Sequence, residues 1–310
     1  MAPKTPALSL SGVVKTYGRT RALDGLTLTV PRGVVCGLVG PNGAGKTTMF
    51  GVVGGYIRPD SGDISVLGAG RFQIATHSGH VTLLPQDCEL SPHMPVRQLL
   101  IHLARIQGQS RAAAERDTDR VLDLVDLRDR EKSRIRQLSH GMRRRISVAQ
   151  AFLGDPQLIL LDEPTAGLDP SQVVRLRDLF VSQRGKRTLI ISSHILSELE
   201  AACDYVVLME SGRNLRSGRM SDVTERRALV RIRIAGDPPM EALSEALPEA
   251  RLRVQDDELV ITAQSGQTLA EINRSVLPLL LSAGVDVLEV QQGQSLEAAV
   301  LSHTSPSNAP

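Results

Sequence analysis

The sequence predicts an α/β fold whose sheet is mixed and largely parallel, followed by a small α+β domain. Up to about residue 220, short apolar strands alternate with segments of helical spacing, as in parallel sheets joined by crossover helices. A Gly-rich turn at residues 40–45 joins one of these strands to a helix. After about residue 228 the order becomes β-α-β-β-α-β, which is typical of a ferredoxin-like domain.

The N-terminal part contains four predicted strands before any long helical stretch. Turn residues around Gly18 and around Asp24-Gly25 separate the first two strands. The third precedes the Gly-rich turn, after which a helix opens near Lys46. The predicted strands are residues 8–17, 26–30, 34–40 and 80–85.

A helical insertion is predicted at about residues 96–154. Apolar spacing is helical from 96 to 125, and a further helix is predicted to start after Ser139 and end near Gly154. The next strand, 157–164, is almost continuously apolar, which indicates burial on both faces. The elements predicted after it are a helix at 170–184, a strand at 187–194, a helix at 195–203 and a hairpin at 205–218.

The C-terminal part is predicted to form a separate accessory domain. Its six elements are predicted at 228–236, 240–247, 250–255, 258–263, 268–284 and 285–293, and a short helix follows at 295–303. We therefore predict a larger first domain at 8–222, an accessory domain at 228–303 and a frayed tail at 304–310. No chemical motif occurs after residue 228, so the accessory domain is expected to assist dimerisation or regulation.

Composition excludes several functional classes. The chain has 310 residues, which corresponds to about two domains, and a formal net charge of +2, which gives no support to a polyanion-binding surface. The three cysteines form no CxxC pair, so neither a disulfide framework nor a zinc site is predicted, and a reducing compartment fits best. Neither a secretory signal nor an apolar run near the ~18 residues of a membrane span is evident. Another chain would have to supply any membrane spans.

The strongest motif is GPNGAGKT at residues 40–47, between a buried strand and a helix. Its glycines let main-chain N–H groups turn toward phosphate oxygens, and the helix N-terminus adds positive potential. A Gly-rich turn with a surface lysine is the alternative, and the flanking strand and helix argue against it. The sequence predicts a P-loop NTPase that binds a nucleoside triphosphate and Mg²⁺, with nucleotide contacts from Asn42, Gly43, Gly45, Lys46, Thr47 and Thr48.

Two carboxylates follow the apolar strand at 158–161. Asp162 and Glu163 are expected at its C-terminal end, where α/β sheets place ligands. Asp162 is predicted to hold Mg²⁺ together with Thr47, and Glu163 to orient and deprotonate the attacking water. An acidic pair after a strand is by itself ordinary loop chemistry, but a P-loop upstream in the same chain favours an NTP site.

A third set of motifs separates the P-loop families. LSHGM at 138–142 lies between the two nucleotide motifs, Gln86 occurs in LLPQD, GLDP follows at 167–170, and His194 ends the next strand. In this ordered set, residues 8–219 resemble the ATPase subunit of an ATP-binding cassette (ABC) transporter. LSHGM departs from the usual LSGGQ at its third and fifth positions, which leaves Ser139 and Gly141 in place.

The resemblance implies a head-to-tail dimer in which each ATP lies between one P-loop and the partner's signature. It assigns Ser139 and Gly141 to the γ-phosphate in trans, and Gln86 to sensing Mg²⁺ and water. Asp169 would communicate across the dimer, and His194 would contact the γ-phosphate. Tyr17 matches the aromatic residue that stacks on adenine.

Several of these residues also have plain structural interpretations. Ser139 is a natural helix N-cap, and Asp169-Pro170 is a natural N-cap followed by proline at N1. His194 could be a hydrogen-bonded histidine at a strand end, and Tyr17 a packing residue. The arginines at 143–145 are interpreted as a solvated helix face or an interface, not as a nucleic-acid patch.

The resemblance predicts the energy-coupling ATPase of a transporter, held at the cytoplasmic face of the cell membrane by separate transmembrane permease subunits. Residues 87–96 match the segment that receives a helix of those subunits. QSLEAAVLSHT at 294–304 resembles the end of ATPases from drug or antibiotic exporters, which favours export. The second ATPase subunit could be identical or different.

Two other functions remain open. The first is a non-transport ABC ATPase acting on nucleic acid or ribosomes. Such proteins carry tandem cassettes or a coiled-coil insertion, and RNA-binding ferredoxin-like modules stack bases on strand aromatics. No aromatic residue follows Tyr205, so no nucleic-acid partner is expected. The second is a regulatory ATPase that binds only soluble proteins.

Overall fold

The computed structural model of the chain describes residues 5–224, 229–255, 257–262, 269–293, 296–297 and 300. The chain folds into two compact units, one ending at Ser217 and one beginning at Gly218. The tail at 304–310 and most of the short helix predicted at 295–303 lie outside the described residues.

The first unit contains nine strands, seven α-helices and two single-turn 3-10 helices among its described residues. The strands are β1 (Leu8–Tyr17), β2 (Thr20–Val30), β3 (Val35–Val39), β4 (Ser61–Val66), β5 (Val81–Leu84), β6 (Leu158–Leu161), β7 (Thr188–Ser192), β8 (Tyr205–Glu210) and β9 (Arg213–Arg219), the last of which runs across the boundary. The helices are α1 (Lys46–Val53), α2 (Ile74–His77), α3 (Val96–Ile106), α4 (Arg111–Leu124), α5 (His140–Ala151), α6 (Pro170–Val181) and α7 (Leu196–Ala202).

The main sheet is mixed and largely parallel, as predicted. Its strand order is β5-β6-β7-β3-β8-β9, and the pairs from β5 to β8 are parallel. Every residue of β3, β6 and β7 is buried, because helices cover both faces of such a sheet. The register pairs Leu161 with Ile191. The carboxyl ends of β6 and β7 therefore lie side by side.

A second, antiparallel sheet of order β2-β1-β4 shares its core with the main sheet. One buried cluster joins Leu10 of β1, Leu28 of β2, Phe50 of α1 and Leu38 of β3. Helix α1 is accordingly buried along most of its length. The helix that follows the P-loop motif at residues 40–47, α1, is thus held by packing on several sides.

The helical insertion lies between β5 and β6. Helix α3 buries Val96, Leu99, Leu100 and Ala104, the i, i+3, i+4, i+8 spacing of one helix face, and packs against α4 and α5. Ser110 caps α4 and Ser139 caps α5, each accepting a hydrogen bond from the N–H three residues later.

The second unit has the ferredoxin-like order. After the short helix α8 (Met220–Val223), its elements are β10 (Leu229–Ala235), α9 (Met240–Ala246), β11 (Arg251–Gln255), β12 (Glu258–Thr262), α10 (Leu269–Ser282) and β13 (Asp286–Gln292). The antiparallel sheet runs β11-β12-β10-β13. One face of this sheet and both helices share a buried cluster, which contains Ile232, Leu259, Leu243 and Val276.

Two features of the strands differ from the sequence-based expectation, and the short helices α2 and α8 are additional to it. The turn predicted at Asp24-Gly25 lies inside β2, because Gly25 has φ +67° and forms a bulge that keeps Leu23 and Leu26 both buried. Strand β4 was not predicted, since its Ser-Gly-Asp start carries little strand propensity and its pairing with β1 supplies the order. In the described part of the chain, no helix combines the length and apolarity required to cross a bilayer.

Candidate nucleotide-binding site

The loop at residues 40–45 connects β3 to α1 through left-handed backbone that glycine allows. Gly43 and Gly45 have φ +83° and +97°. A Cβ on Gly45 would lie 2.4 Å from the carbonyl oxygen of Ala22, so both conformation and space require glycine there. The end of the turn and the start of α1, residues 42–48, line one cavity.

Lys46 folds back over this loop. Its Nζ donates to the carbonyl oxygens of Gly40 at 2.7 Å and Pro41 at 3.1 Å. Burial lowers the pKa of Lys46 below the usual 10.5, whereas the carboxylates of Glu163 and Asp162 act to raise it. The ammonium is therefore a poorly hydrated positive charge, suited to bind an anion.

Asp162 joins three elements at the end of β6. Thr47 Oγ1 of α1 donates to Asp162 Oδ2 at 2.9 Å, and Ser192 Oγ of β7 donates to Asp162 Oδ1. The carboxylate is 2% exposed, so these hydroxyls replace the water that it loses on burial. Asp162 is thereby held beside the first turn of α1.

Glu163 is buried and conformationally constrained. Its φ is +49°, a left-handed conformation that costs a non-glycine residue about 1–3 kcal/mol. Its main-chain N–H donates to Ser192 Oγ at 2.9 Å, and its Oε2 lies 2.8 Å from His194 Nδ1. The carboxylate is thus aimed at His194, whose side chain is 62% exposed.

These residues surround one cavity of about 300 Å³. It brings together most of the predicted nucleotide residues, and the N-terminal residues of β2 close one side. Its lining consists of Thr20, Arg21, Ala22, Asn42, Gly43, Ala44, Gly45, Lys46, Thr47, Thr48, Gln86, Asp162 and Glu163. The arrangement places a cation, main-chain donors, a hydroxyl and two carboxylates where a polyphosphate could bind.

The predicted signature residues lie elsewhere. Among the described residues, the lining of this cavity contains neither Ser139, Gly141 nor Asp169. Ser139 accepts a hydrogen bond from Met142 N at 3.2 Å, and Asp169 accepts one from Gln172 N at 3.1 Å. Both residues act as helix N-caps and both are exposed, so their structural and proposed functional roles are compatible.

The starts of α5 and α6 also contact each other. A Cβ on Gly141 would lie 1.6 Å from Gln172 Oε1, and Gln172 Nε2 donates to Asp169 Oδ2 at 2.5 Å. The hydroxyl of Ser171 and the N–H of Gln172 lower the pKa of Asp169. A side chain at position 141 would therefore displace the glutamine that holds Asp169.

Tyr17 is separate from the cavity lining. It is 48% exposed at the end of β1, where it pairs with Thr20, a lining residue. The ammonium of Lys15 lies 5.5 Å from its ring centroid. An exposed ring beside the cavity leaves room for stacking and gives Tyr17 no packing role in the core.

Sequence reasoning missed Ser192 and misjudged two arginines. Ser192 is the last residue of β7, whose register with β6 is visible only in the sheet. The interpretation of 143–145 as a solvated face is wrong for Arg144 and Arg145, which are 9% and 7% exposed. Their guanidinium groups donate to main-chain carbonyl oxygens, which compensates their charge inside the protein.

The donor set at the mouth of the loop fits Mg²⁺. Thr47 Oγ1 and Asp162 Oδ2 are oxygen donors 2.9 Å apart, at the edge of the phosphate loop. Mg²⁺ prefers oxygen ligands and is usually held by one or two carboxylates together with substrate phosphates. Thr47 and Asp162 are thus the residues that would hold it, and Gln86 lines the same cavity.

Comparison with solved structures identifies the fold. A structure described as the ATP binding subunit of an ABC transporter is similar with a TM-score of 0.62 and 29% identity, over 72% of this chain and 93% of that one. CbiO1 of Clostridium perfringens, part of the ABC transporter complex cbiONQ, has a TM-score of 0.63 and 26% identity, over 71% and 91%.

Sequence comparison identifies the family. The family model described as "ABC transporter" matches residues 23–166. Nod factor export ATP-binding protein I of Rhizobium sp. (strain N33) is 36% identical over 78% of this chain and 81% of its own length. The protein of the same name from Ralstonia nicotianae is 33% identical over 285 residues, 87% of this chain and 86% of its own. The chain belongs to the ABC transporter family, in which it is an ATP-hydrolysing subunit.

Proposed function

We propose that this chain binds MgATP and, in a closed dimer with a second ATPase subunit, hydrolyses it to drive an exporter whose membrane-spanning subunits are separate chains. Export is supported by relatives named Nod factor export ATP-binding protein I. One observation carries the ATPase part. Lys46, Thr47, Asp162 and Glu163 line a single cavity at the ends of β3 and β6.

The phosphate loop binds the triphosphate. Main-chain N–H groups at 42, 43 and 45–48 and the Lys46 ammonium hold the β- and γ-phosphates, since the loop, the helix N-terminus and the lysine all favour negative charge there. Tyr17 stacks on the adenine ring. Thr47 and Asp162 would hold Mg²⁺, which would neutralise charge that develops on the phosphates.

Glu163 acts as the base for hydrolysis. A water oxygen forms a bond to the γ-phosphorus while the bond to the β–γ bridging oxygen breaks, which releases ADP. The proton lost by that water goes to Oε of Glu163. His194, whose Nδ1 lies 2.8 Å from Glu163 Oε2, orients the carboxylate and contacts the γ-phosphate, and Gln86 orients the water.

The dimer completes each site. Ser139 is exposed at the start of α5, Gly141 is buried in its first turn beside Gln172, and neither Ser139 nor Gly141 lines the cavity of its own chain. We infer that they bind the γ-phosphate held by the partner subunit, where the N-terminus of α5 favours the anion. Asp169, at the start of α6, then communicates between the two sites. Either an identical or a different second subunit fits this arrangement.

The membrane subunits are proposed to dock beside residues 87–96. An open cavity of about 630 Å³ lies there, between the segment after Gln86 and helix α5, lined in part by Asp87, Glu89, Pro92 and Arg143. Its walls connect Gln86 to the helix that begins with the signature. A permease helix that occupies this cavity, at the cytoplasmic face of the membrane, would link movement of the permease subunit to the ATP site.

Capture of the chain from detergent-solubilised membranes tests this function. We expect recovery of a multi-span polypeptide together with ATP hydrolysis that depends on Lys46. A Lys46→Ala chain is the control, because it should retain the polypeptide and lose the activity. Recovery of ribosomes or DNA in place of a multi-span chain would contradict the proposal and support the non-transport alternative.

A further inference from the structure

The guanidinium of Arg144 binds the main chain that carries both carboxylates. Its Nη2 donates to the carbonyl oxygens of Glu163 at 2.6 Å and Asp162 at 3.1 Å, and its Nε donates to that of Pro164 at 3.0 Å. Its Nη1 donates to the carbonyl oxygen of Gln86 at 3.0 Å. One side chain of α5 therefore holds three consecutive residues after β6 and the segment after β5.

This contact is made inside the protein. Arg144 is 9% exposed, and burial lowers its pKa while the carboxylates of Asp162 and Glu163 act to raise it. A buried cation is tolerated only when its donors are satisfied. The four carbonyl oxygens satisfy four of its five N–H donors, so the geometry is specific and costly to disturb.

The contact holds Glu163 where its backbone is strained. Glu163 has φ +49°; its N–H donates to Ser192 Oγ at 2.9 Å, and its carbonyl oxygen accepts from Arg144 at 2.6 Å. Both ends of the residue are thus fixed, and a strained conformation persists only when its surroundings determine it in this way. The fixed main chain sets the point from which the Glu163 side chain extends, and the contact of its Oε2 with His194 Nδ1 at 2.8 Å then places the carboxylate.

The adjacent arginine provides a matched comparison. Arg145 is 7% exposed on the same helix, and its Nη1 donates to the carbonyl oxygens of Val125 at 2.9 Å and Asp126 at 3.3 Å. Those residues follow α4 and do not belong to the lining of the nucleotide cavity given above. Arg144 and Arg145 are thus both buried, and both donate to main-chain carbonyl oxygens. Of the two, only Arg144 contacts the segment at 162–164, which carries the two carboxylates.

We propose that Arg144 is a positioning residue for ATP hydrolysis, which fixes the main chain of Glu163 and ties it to that of Gln86. The base Glu163 and the water-orienting Gln86 are thereby held in a fixed position relative to each other at the γ-phosphate. The inference rests on the proposed role of Glu163 as the base. A lysine cannot replace Arg144, because a single ammonium lacks the planar fork that spans these carbonyl oxygens.

Steady-state phosphate release by the full-length chain tests this role. For Arg144→Lys we expect kcat to fall about 10–100-fold, the cost of misplacing a catalytic group, and KM for ATP to change less than about twofold. Arg145→Lys should lose similar thermal stability and keep kcat within about threefold of the parent. If Arg144→Lys proves unfolded by circular dichroism, Arg144→Gln is judged by the same criteria.

A double variant separates this inference from the proposed base. On a Glu163→Gln background, Arg144→Lys should lower kcat by less than about threefold, because the base through which it mainly acts is already disabled. A further loss of the same size would overturn the positioning role, as would equal kcat values for Arg144→Lys and Arg145→Lys. Parental hydrolysis by Glu163→Gln alone would instead refute the proposed base.

Discussion

At the scale of single residues, Lys46 and Glu163 perform opposite electrostatic tasks in one cavity. Lys46 supplies positive charge that burial leaves poorly hydrated, and Glu163 supplies a carboxylate whose direction is set by strained backbone. Motif spacing identified both residues. It could not identify Ser192 or Arg144, because their contacts with Asp162 and Glu163 depend on strand register and on an arginine folding inward.

Replacing Lys46 with alanine should weaken ATP binding about 10–100-fold. The change removes a charge-assisted interaction of about 1.5–3 kcal/mol with the β- and γ-phosphates, and it leaves the loop glycines in place. Titration with a fluorescent ATP analogue measures the dissociation constant. Arg32→Ala is the control, since Arg32 is an exposed residue that contacts Thr5 and Leu67 away from the cavity. Unchanged affinity in Lys46→Ala would refute the phosphate-loop assignment.

As pH rises, ATP affinity should begin to fall at a lower pH than it would if Lys46 had the usual lysine pKa. Burial lowers the pKa of Lys46 in the free chain below 10.5, and bound phosphate favours the protonated form. Above the lowered pKa, binding must take up a proton, so the dissociation constant rises with pH. In Lys46→Arg the group stays charged, and the same titration should show no such rise. Parallel pH profiles of the two chains would contradict this.

Replacing Glu163 with glutamine should lower hydrolysis about 10²–10⁴-fold, the contribution of a positioned general base, without loss of ATP binding. The amide keeps the size of the side chain and cannot accept the proton. Unhydrolysed ATP should then hold two subunits together, as seen by size-exclusion chromatography with ATP and Mg²⁺. A variant that stayed monomeric at saturating ATP would show that closure needs the membrane subunits.

At the scale of elements, helix N-termini combine structure with the proposed function. Helices α4 and α5 have the same cap, a serine that accepts from the N–H three residues on, in Ser110 and Ser139. Only α5 begins in the signature. Apolar spacing predicted α4, and Ser139 marked the start of α5. The role of the α5 start in a partner's site depends on assembly, which the sequence pattern of a single chain does not determine.

Removing these two caps separates the roles. Ser139→Ala and Ser110→Ala should each lower the free energy of unfolding by about 1 kcal/mol, the usual value of a serine N-cap. Ser139→Ala should also reduce ATP turnover about 10-fold, because it removes a hydrogen bond of about 1.5 kcal/mol to the γ-phosphate held by the partner. Denaturation curves and phosphate release measure the two effects. Equal turnover in the two variants would leave Ser139 as a cap alone.

At the scale of the molecule, the two units have separate cores. Phe50 and Leu38 belong to a cluster of the first unit, and Ile232 and Leu259 to one of the second. Element order predicted both architectures, because alternation of strands and helices and the β-α-β-β-α-β order each allow few topologies. The sequence predicted neither the bulge at Gly25 nor strand β4, because both depend on pairing with β1 across the sheet.

A chain truncated after Thr224 should therefore fold and bind ATP with a dissociation constant within about twofold of the full chain. Every residue that lines the nucleotide cavity precedes Pro164, and the cut leaves α8 intact, which Thr224 Oγ1 closes by donating to Met220 O at 2.8 Å. Circular dichroism establishes folding, and ATP titration measures binding, with Lys46→Ala in the truncated chain as the control. Carrying Glu163→Gln in both lengths then tests the accessory role: weaker ATP-dependent dimerisation of the short chain would assign the C-terminal unit to dimer closure. A folded truncated chain that failed to bind ATP would refute this division of labour between the units.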